Sequence, residues 1–264
     1  MGGGGMRGAG RMGIGGFVIL LILSVVFKQD LFSVVGGDPG AGAPPPGEAP
    51  VQDPSEEPMV LLMSAVLDSN QAYWSRTLPQ LGTPYQRAQL VLFRDVTQTS
   101  CGYGQAAAGP FYCPADGKVY IDLSFFEELK SRFGAPGDFA QAYVLAHEIG
   151  HHVQNVLGIS DQVRQAQQQN PGAANQLSVR LELQADCYAG VWSHLAAQQG
   201  MLDPGDIEEG LGAAAAVGDD RIQREATGRV SPESWTHGSS EQRMQWFQRG
   251  FQGGRPDACD TFAR

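Results

Sequence analysis

The stretch YVLAHEIGHHVQNVLG, residues 143–158, constrains this chain more than any other, because apolar residues recur in it at a helical period while His147, Glu148 and His151 fall in the order His-Glu-x-x-His. On a helical wheel Ala142, Leu145, Ala146, Ile149, Val153 and Val156 lie within an arc of about 100°, the width of a core-facing stripe. His147 and His151 lie on the opposite side. The chain must therefore supply a packed core against one face of this helix and leave polar chemistry on the other. Its start is predicted at Asp138 as N-cap, with Gln141 three residues on and Ala135-Pro136-Gly137 breaking the segment before it.

Two histidines at i and i+4 offer a metal two ligands from one rigid element, and zinc takes such ligands about 2.0–2.1 Å away in a tetrahedral arrangement. Glu148 projects to a neighbouring angle, where a carboxylate can act as general base on a zinc-activated water. A third protein ligand is still needed. LELQADC, on a second helix predicted over 176–197, supplies Glu182 as that ligand, and Asp186, four residues on, shares its face. Asp186 would accept the free N–H of a ligating histidine and fix its tautomer. Ser178, Ala185 and Ala189 beside the two acids are small, so this helix can approach another closely. Each feature alone reads as ordinary helix surface; together in one small body they favour a metal centre holding one zinc per chain.

His237, in the loop Thr236-His237-Gly238, is the candidate donor to the oxyanion that forms in acyl transfer. Tyr120, Tyr143 and Tyr188 are less supported substitutes. Arg243 could orient His237 or a substrate, but its default reading is a solvated surface charge. His152 is rotated by about 100° from His151 and reads as structural or exposed. His194 lies well around its helix from Glu182 and reads as no ligand.

The remaining chain sets the context. Residues 12–27 are sixteen uncharged residues closed by Lys28, about 24 Å as a helix against a membrane core of about 30 Å, a shortfall Lys28 could partly make up by snorkelling. The only Ala-x-Ala-like site nearby, Ala41-Gly42-Ala43, lies well beyond the run, so the segment reads as a single-pass anchor rather than a cleaved signal peptide. Arg7 and Arg11 before it place the rest of the chain outside the cytoplasm. Residues 37–58 hold seven prolines and almost no large apolar side chain, the composition of an extended tether. From residue 59 onward 22 acids oppose 15 Lys and Arg, which excludes a basic nucleic-acid surface. Cys101, Cys113, Cys187 and Cys259 then suit two disulfides in an oxidising compartment. Three pairings are open; Cys187 points away from Glu182 and is better bridged to Cys259, leaving Cys101 for Cys113.

Residues 90–93 read as a strand, and 111–113 and 118–125 as two strands joined through Asp116-Gly117, a strong hairpin signal. Residue 138 onward is mainly helical. Further helices are predicted over 204–223, capped by Asp203, and over 239–251, where Ser239 and Gln242 make a capping-box pattern.

At these residues the chain resembles the neutral zinc metallopeptidases of bacteria, through GPFYCPADGKVYIDLSFF, GDFAQAYVLAHEIGHHVQ, LSVRLELQADCYAG, GDIEEGLGAAAAVGDDRIQ and THGSSEQRMQWFQRGF. More distantly, the order His-Glu-x-x-His, Glu-x-x-Ala-Asp, Thr-His-Gly-x-x-x-x-Arg is similar to membrane-associated gluzincin proteases. The resemblance implies that His147, His151 and Glu182 bind zinc, Glu148 is the base, Asp186 orients a ligating histidine and His237 serves the transition state. Gly238 departs from the proline usual after that histidine. The expectation is an α+β chain: tail and anchor over 1–36, tether over 37–58, and over 59–264 a zincin-like domain with a small N-terminal sheet, the zinc helix and a helical C-terminal lobe. Its expected activity is that of a membrane-anchored, extracytoplasmic zinc endopeptidase on peptide or protein substrates, an extended substrate lying along an edge strand near 119–125. A non-catalytic zinc-stabilised envelope module and a cell-wall peptide amidase are the alternatives.

Overall fold

The computed structural model describes residues 54–105 and 109–263. The expected anchor and all but the last residues of the expected tether lie outside them, and among the described residues no helix is long and apolar enough to cross a membrane. A 3-10 turn, Pro54–Glu56, leads into α1 (Glu57–Gln80), a helix the sequence reading did not anticipate. Pro58 sits in its first turn, where a missing N–H costs nothing. Met63, Val66, Asn70, Trp74 and Leu78 are buried at steps of three and four, but Asn70 and Gln71 interrupt the apolar stripe with buried amides and so hide it from a hydrophobicity pattern.

Five short strands follow: β1 (Gln89–Phe93), β2 (Val96–Thr99), β3 (Gly102–Gln105), β4 (Phe111–Cys113) and β5 (Lys118–Asp122). β4 and β5 form the expected hairpin, with Gly117 at φ 70° and its N–H donated to the Cys113 carbonyl at 2.9 Å. β1 adds parallel to the other side of β5, giving the order β1-β5-β4; β2 and β3 pair separately as an unanticipated hairpin. Two expectations need correction. The strand expected over 118–125 stops at Asp122, whose carboxylate accepts the N–H and hydroxyl of Ser124 at 2.7 and 2.6 Å and turns the chain into α2 (Ser124–Ser131). It is also the central strand, hydrogen-bonded on both sides, so no substrate can pair along it. Both its faces are covered: Val119 and Ile121 join the main core, and Tyr120 joins a smaller cluster with Phe93 and Cys113.

The zinc-motif helix is α3 (Asp138–Val156), followed by α4 (Ile159–Gln169), α5 (Ala174–Gln198), α6 (Asp206–Ala216), α7 (Asp219–Thr227) and α8 (Ser240–Gly253). α3 is the hub, packed against α1, α4, α5, α6, β4 and β5. Its stripe is buried as expected from Ala142 to Val153. Its cap differs. Gly137, not Asp138, is the N-cap, and the Phe139 N–H is satisfied by the Glu209 carboxylate of α6 at 3.2 Å. The single helix expected over 204–223 is two, with Gly205 rather than Asp203 as cap. The break falls at Gly218, where an added Cβ would lie 2.4 Å from the Ser240 nitrogen, so α8 begins against the gap between α6 and α7. The Ser239–Gln242 capping box is present at the start of α8.

Small residues set how closely the site-bearing helices approach. A Cβ on Gly150 of α3 would sit 3.0 Å from the Ala185 backbone of α5. The α5–α8 crossing is tighter: a Cβ on Gly190 would lie 2.0 Å from the Phe247 carbonyl oxygen, and one on Gly250 1.9 Å from that of Cys187. Disulfides join Cys101 to Cys113 beside the sheet and Cys187 to Cys259, pinning the C-terminal segment on α5.

Candidate metal centre

The i,i+4 spacing on α3 turns the Nε2 atoms of His147 and His151 to within 3.1 Å of each other. The carboxylate of Glu182, brought in by α5, lies 3.2 Å from the first and 3.4 Å from the second. Ligands about 2.0–2.1 Å from a tetrahedral ion stand about 3.3 Å apart; the two nitrogens meet that spacing, and Glu182 reaches the first through Oε2 and the second through Oε1, with one ligand atom of each residue within 4.8 Å of the others. The donor set, two imidazoles and one carboxylate, also suits zinc in a site that keeps a position open.

The outer nitrogens of both histidines are held. His147 Nδ1 lies 2.8 Å from Asp186 Oδ1, and His151 Nδ1 lies 2.8 Å from Gln154 Oε1. Each ring thereby keeps a proton on Nδ1, so that the neutral form a metal binds turns its Nε2 lone pair inward. Asp186 is itself clamped by Arg243, Nε to Oδ2 and Nη2 to Oδ1, both 2.8 Å, and by the Tyr143 hydroxyl at 2.5 Å. Arg243 is only 3% exposed and its Nη1 donates to the Val217 carbonyl, so the surface-charge reading is corrected: it is the buried counter-ion of the carboxylate behind the first histidine. The signal was the Arg of Thr-His-Gly-x-x-x-x-Arg.

Without metal, burial opposes charge on His147, but the Asp186 and Glu182 carboxylates outweigh it and hold the imidazole up at about 9. Burial likewise opposes ionisation of Glu182, and the two histidines overcome it, keeping this carboxyl well below its usual range. Glu148 behaves differently. It is 7% exposed, makes no hydrogen bond among the described residues, and burial raises its carboxyl above the ordinary range against the pull of His151 and His147. A desolvated, unpartnered carboxylate beside the ligand set is what a general base requires.

His237, on the loop before α8 with its side chain 37% exposed, lies near enough to Glu182 for their charges to interact. Its Nδ1 lies 3.1 Å from Asp219 Oδ1, while Asp219 Oδ2 accepts the backbone N–H groups of Thr236, His237 and Gly238 at 2.8, 2.7 and 3.0 Å. Asp219, unremarked in the sequence, therefore builds the loop. The departure at Gly238 has a physical basis: this residue sits at φ +93° and donates its N–H, and proline can do neither. Burial works against charge on His237, but Asp219 and Glu182 raise its pKa.

The other candidates fall elsewhere. Tyr120 donates to Asp116 at 2.9 Å, Tyr143 is spent on Asp186, and Tyr188 packs edge-on against Trp74. His152 is buried, not exposed, with Nε2 2.6 Å from the Gln86 carbonyl and Nδ1 3.1 Å from the Tyr112 hydroxyl, tying β4 and the loop before β1 to α3. His194 bonds the Phe251 carbonyl, away from the centre.

Comparison with known proteins agrees with this chemistry. The family model described as "putative neutral zinc metallopeptidase" matches residues 1–262. The uncharacterized protein YpfJ of Escherichia coli is 48% identical over 255 residues, covering 96% of this chain and 88% of that protein. The uncharacterized protein Rv2575 of Mycobacterium tuberculosis is 48% identical over 207 residues, covering 74% of this chain and 68% of that protein. No solved structure matches significantly.

Proposed function

Since the chain belongs to the neutral zinc metallopeptidase family, we propose that it is a zinc-dependent endopeptidase, held to the membrane by residues 14–27 with its body, residues 59–264, outside the cytoplasm. The observation that carries the activity is the convergence of His147, His151 and Glu182 at zinc spacing, with an unpartnered Glu148 beside them. The charge pattern around the apolar run supports the topology, and two disulfides support an oxidising compartment.

When bound, zinc would supply Lewis acidity, polarising a carbonyl and bringing the pKa of water to about 7. Glu148 takes the proton of the attacking water; its burial makes the carboxylate more basic than in solvent. The same carboxyl then returns that proton to the departing amine. His237 donates from Nε2 to the developing oxyanion of the substrate. Because its Nδ1–H is committed to Asp219, it must be an imidazolium to do so, and Asp219 favours that form. Asp186, charged and clamped by Arg243, keeps the His147 tautomer correct throughout.

With β5 central, the strand we assign to an extended substrate is the edge strand β4 instead. β4 packs on α3, where the Tyr112 hydroxyl accepts from Asn155 at 3.1 Å. A structural zinc would recruit four protein ligands; among the described residues three converge here, which favours catalysis over a binding module. The test is mass-spectrometric analysis of a diverse peptide mixture after incubation with the protein. Cuts that a zinc chelator abolishes and added zinc restores support the endopeptidase. Folded, zinc-loaded protein that leaves the mixture untouched contradicts it, and cuts confined to cell-wall peptides would change the substrate class to that of the amidase.

A further inference from the structure

A chain of buried amides runs from the second histidine of the centre to the C-terminal segment. His151 Nδ1 is 2.8 Å from Gln154 Oε1; Gln154 Nε2 donates to the Leu181 carbonyl at 2.6 Å and to Gln184 Oε1 at 3.1 Å; Gln184 Nε2 donates to the Cys259 carbonyl at 3.0 Å. Gln154 is 0% exposed, Gln184 4% and Cys259 1%. Each link therefore lies out of solvent in the closed structure.

The direction of every link is forced. A main-chain carbonyl only accepts, so the Cys259 oxygen obliges Gln184 to present its NH₂ there and its Oε1 to Gln154. Gln154, facing the Leu181 carbonyl and Gln184 Oε1, must point its NH₂ at both, which leaves only its Oε1 for His151. His151 must then carry a proton on Nδ1, and in its neutral form the lone pair falls on Nε2, the atom turned toward His147 and Glu182. Flipping either amide would bring two acceptor oxygens into contact in a buried site. The anchor of the chain is itself pinned, because Cys259 is bridged to Cys187 on α5 and the Thr261 hydroxyl donates to the Arg180 carbonyl at 2.7 Å.

We propose that Gln154 is a positioning residue that sets the His151 tautomer, and that the disulfide-pinned segment 256–261 reinforces through Gln184 the orientation the Leu181 carbonyl imposes, so that closure of the Cys187–Cys259 bridge raises the affinity of the centre for zinc. The inference rests on the His147–His151–Glu182 reading. Its coupling is reciprocal: zinc must resist reduction of this bridge by the factor by which the bridge tightens zinc. Reduction by a dithiol converts the bridge to two cysteine thiols and the reductant to its own disulfide, two electrons and two protons passing to the protein. The strap is then free to leave and Gln184 loses its directing acceptor.

The experiment measures zinc affinity of the full chain by chelator competition. Four proteins are compared: wild type, Gln154→Leu, Gln154→Glu and the Cys187→Ala/Cys259→Ala double variant. Gln154→Leu removes the acceptor and is expected to weaken zinc by about 10–100-fold, the usual effect of losing a partner behind a ligand. Gln154→Glu in its neutral form keeps the carbonyl acceptor for His151 and puts an O–H donor where the NH₂ stood, so it is expected to recover most of that loss below the pH at which the new carboxyl ionises. The cysteine double variant is expected to weaken zinc by about tenfold or more while retaining helical circular dichroism. In zinc-loaded wild type the ¹⁵N resonances of His151 should show the proton on Nδ1. Equal weakening by Leu and Glu would make the role one of packing and overturn the tautomer claim. Unchanged affinity in the cysteine variant would overturn the coupling. Wild type that binds no zinc would overturn the metal centre itself, a failure distinct from the other two.

Discussion

Asp186 and Arg243 meet in a two-pronged ion pair, Nε to Oδ2 and Nη2 to Oδ1 at 2.8 Å each, with both side chains almost fully out of solvent. The pair stands directly behind His147, so it couples α8 to the zinc helix through α5. Cutting one partner leaves the other charged, buried and unpaired, at a cost of about 3–5 kcal/mol. Arg243→Leu is therefore expected to destabilise the metal-free protein by that order in denaturant titration. Tyr143→Phe, which removes only a hydroxyl from the same carboxylate, should cost less, about 1–3 kcal/mol.

Zinc and protons compete for His147. Its metal-free pKa of about 9 lies above the ordinary 6.5, so at neutral pH the empty site holds a proton that zinc must expel. Zinc affinity should rise by up to about tenfold per pH unit between about 7 and 9 from this group. The sign for stability is opposite. A raised folded pKa contributes stability that is complete below 6.5 and is lost as pH climbs through about 9, so chelator-treated protein should melt lower at pH 9 than at pH 6.5. Paired thermal melts and chelator competitions across this window check both limbs.

His237 is expected to serve the reaction and not the metal. His237→Ala should lower kcat/KM by about 10²–10³-fold, the scale for one oxyanion donor, with zinc content unchanged. Asp219→Asn removes the carboxylate that favours the imidazolium, so the alkaline fall in activity should move to lower pH. A pH–rate profile of the two variants separates these effects.

The helix crossing gives a packing test. Gly190→Ala would press a methyl carbon to 2.0 Å from the Phe247 carbonyl oxygen, a backbone atom of α8 that can give way only if the α5–α8 crossing shifts. It should cost about 1–3 kcal/mol or more. Gly212 of α6 has nothing within 4 Å of an added Cβ, and Gly212→Ala should stabilise by about 0.5–1 kcal/mol through helix propensity. Denaturation midpoints of the two variants should therefore move in opposite directions.

What the sequence made legible was local. Ligands four residues apart on α3, the acids four apart on α5, the Asp116-Gly117 hairpin and the Ser239 box each declare themselves within a few residues. Both disulfides also pair as expected. The features that escaped are those whose cause lies far along the chain. Arg243 is buried only because Asp186, 57 residues earlier, is waiting for it, and α3 is capped by Glu209, 70 residues later, which makes an Asp138 cap unnecessary. The break at Gly218 follows from the approach of Ser240, and the central place of β5 follows from β1 adding parallel to it. α1 was hidden because its buried stripe contains two amides.

The central claim is that Glu148 moves the proton at a zinc centre it does not itself form. The most direct test is the rate of peptide cleavage by Glu148→Gln beside wild type, with zinc content measured on the same samples. The account expects one zinc in each protein and a fall in rate of about 10²–10⁴-fold in the variant. A variant that holds its zinc and cleaves at the wild-type rate would contradict it.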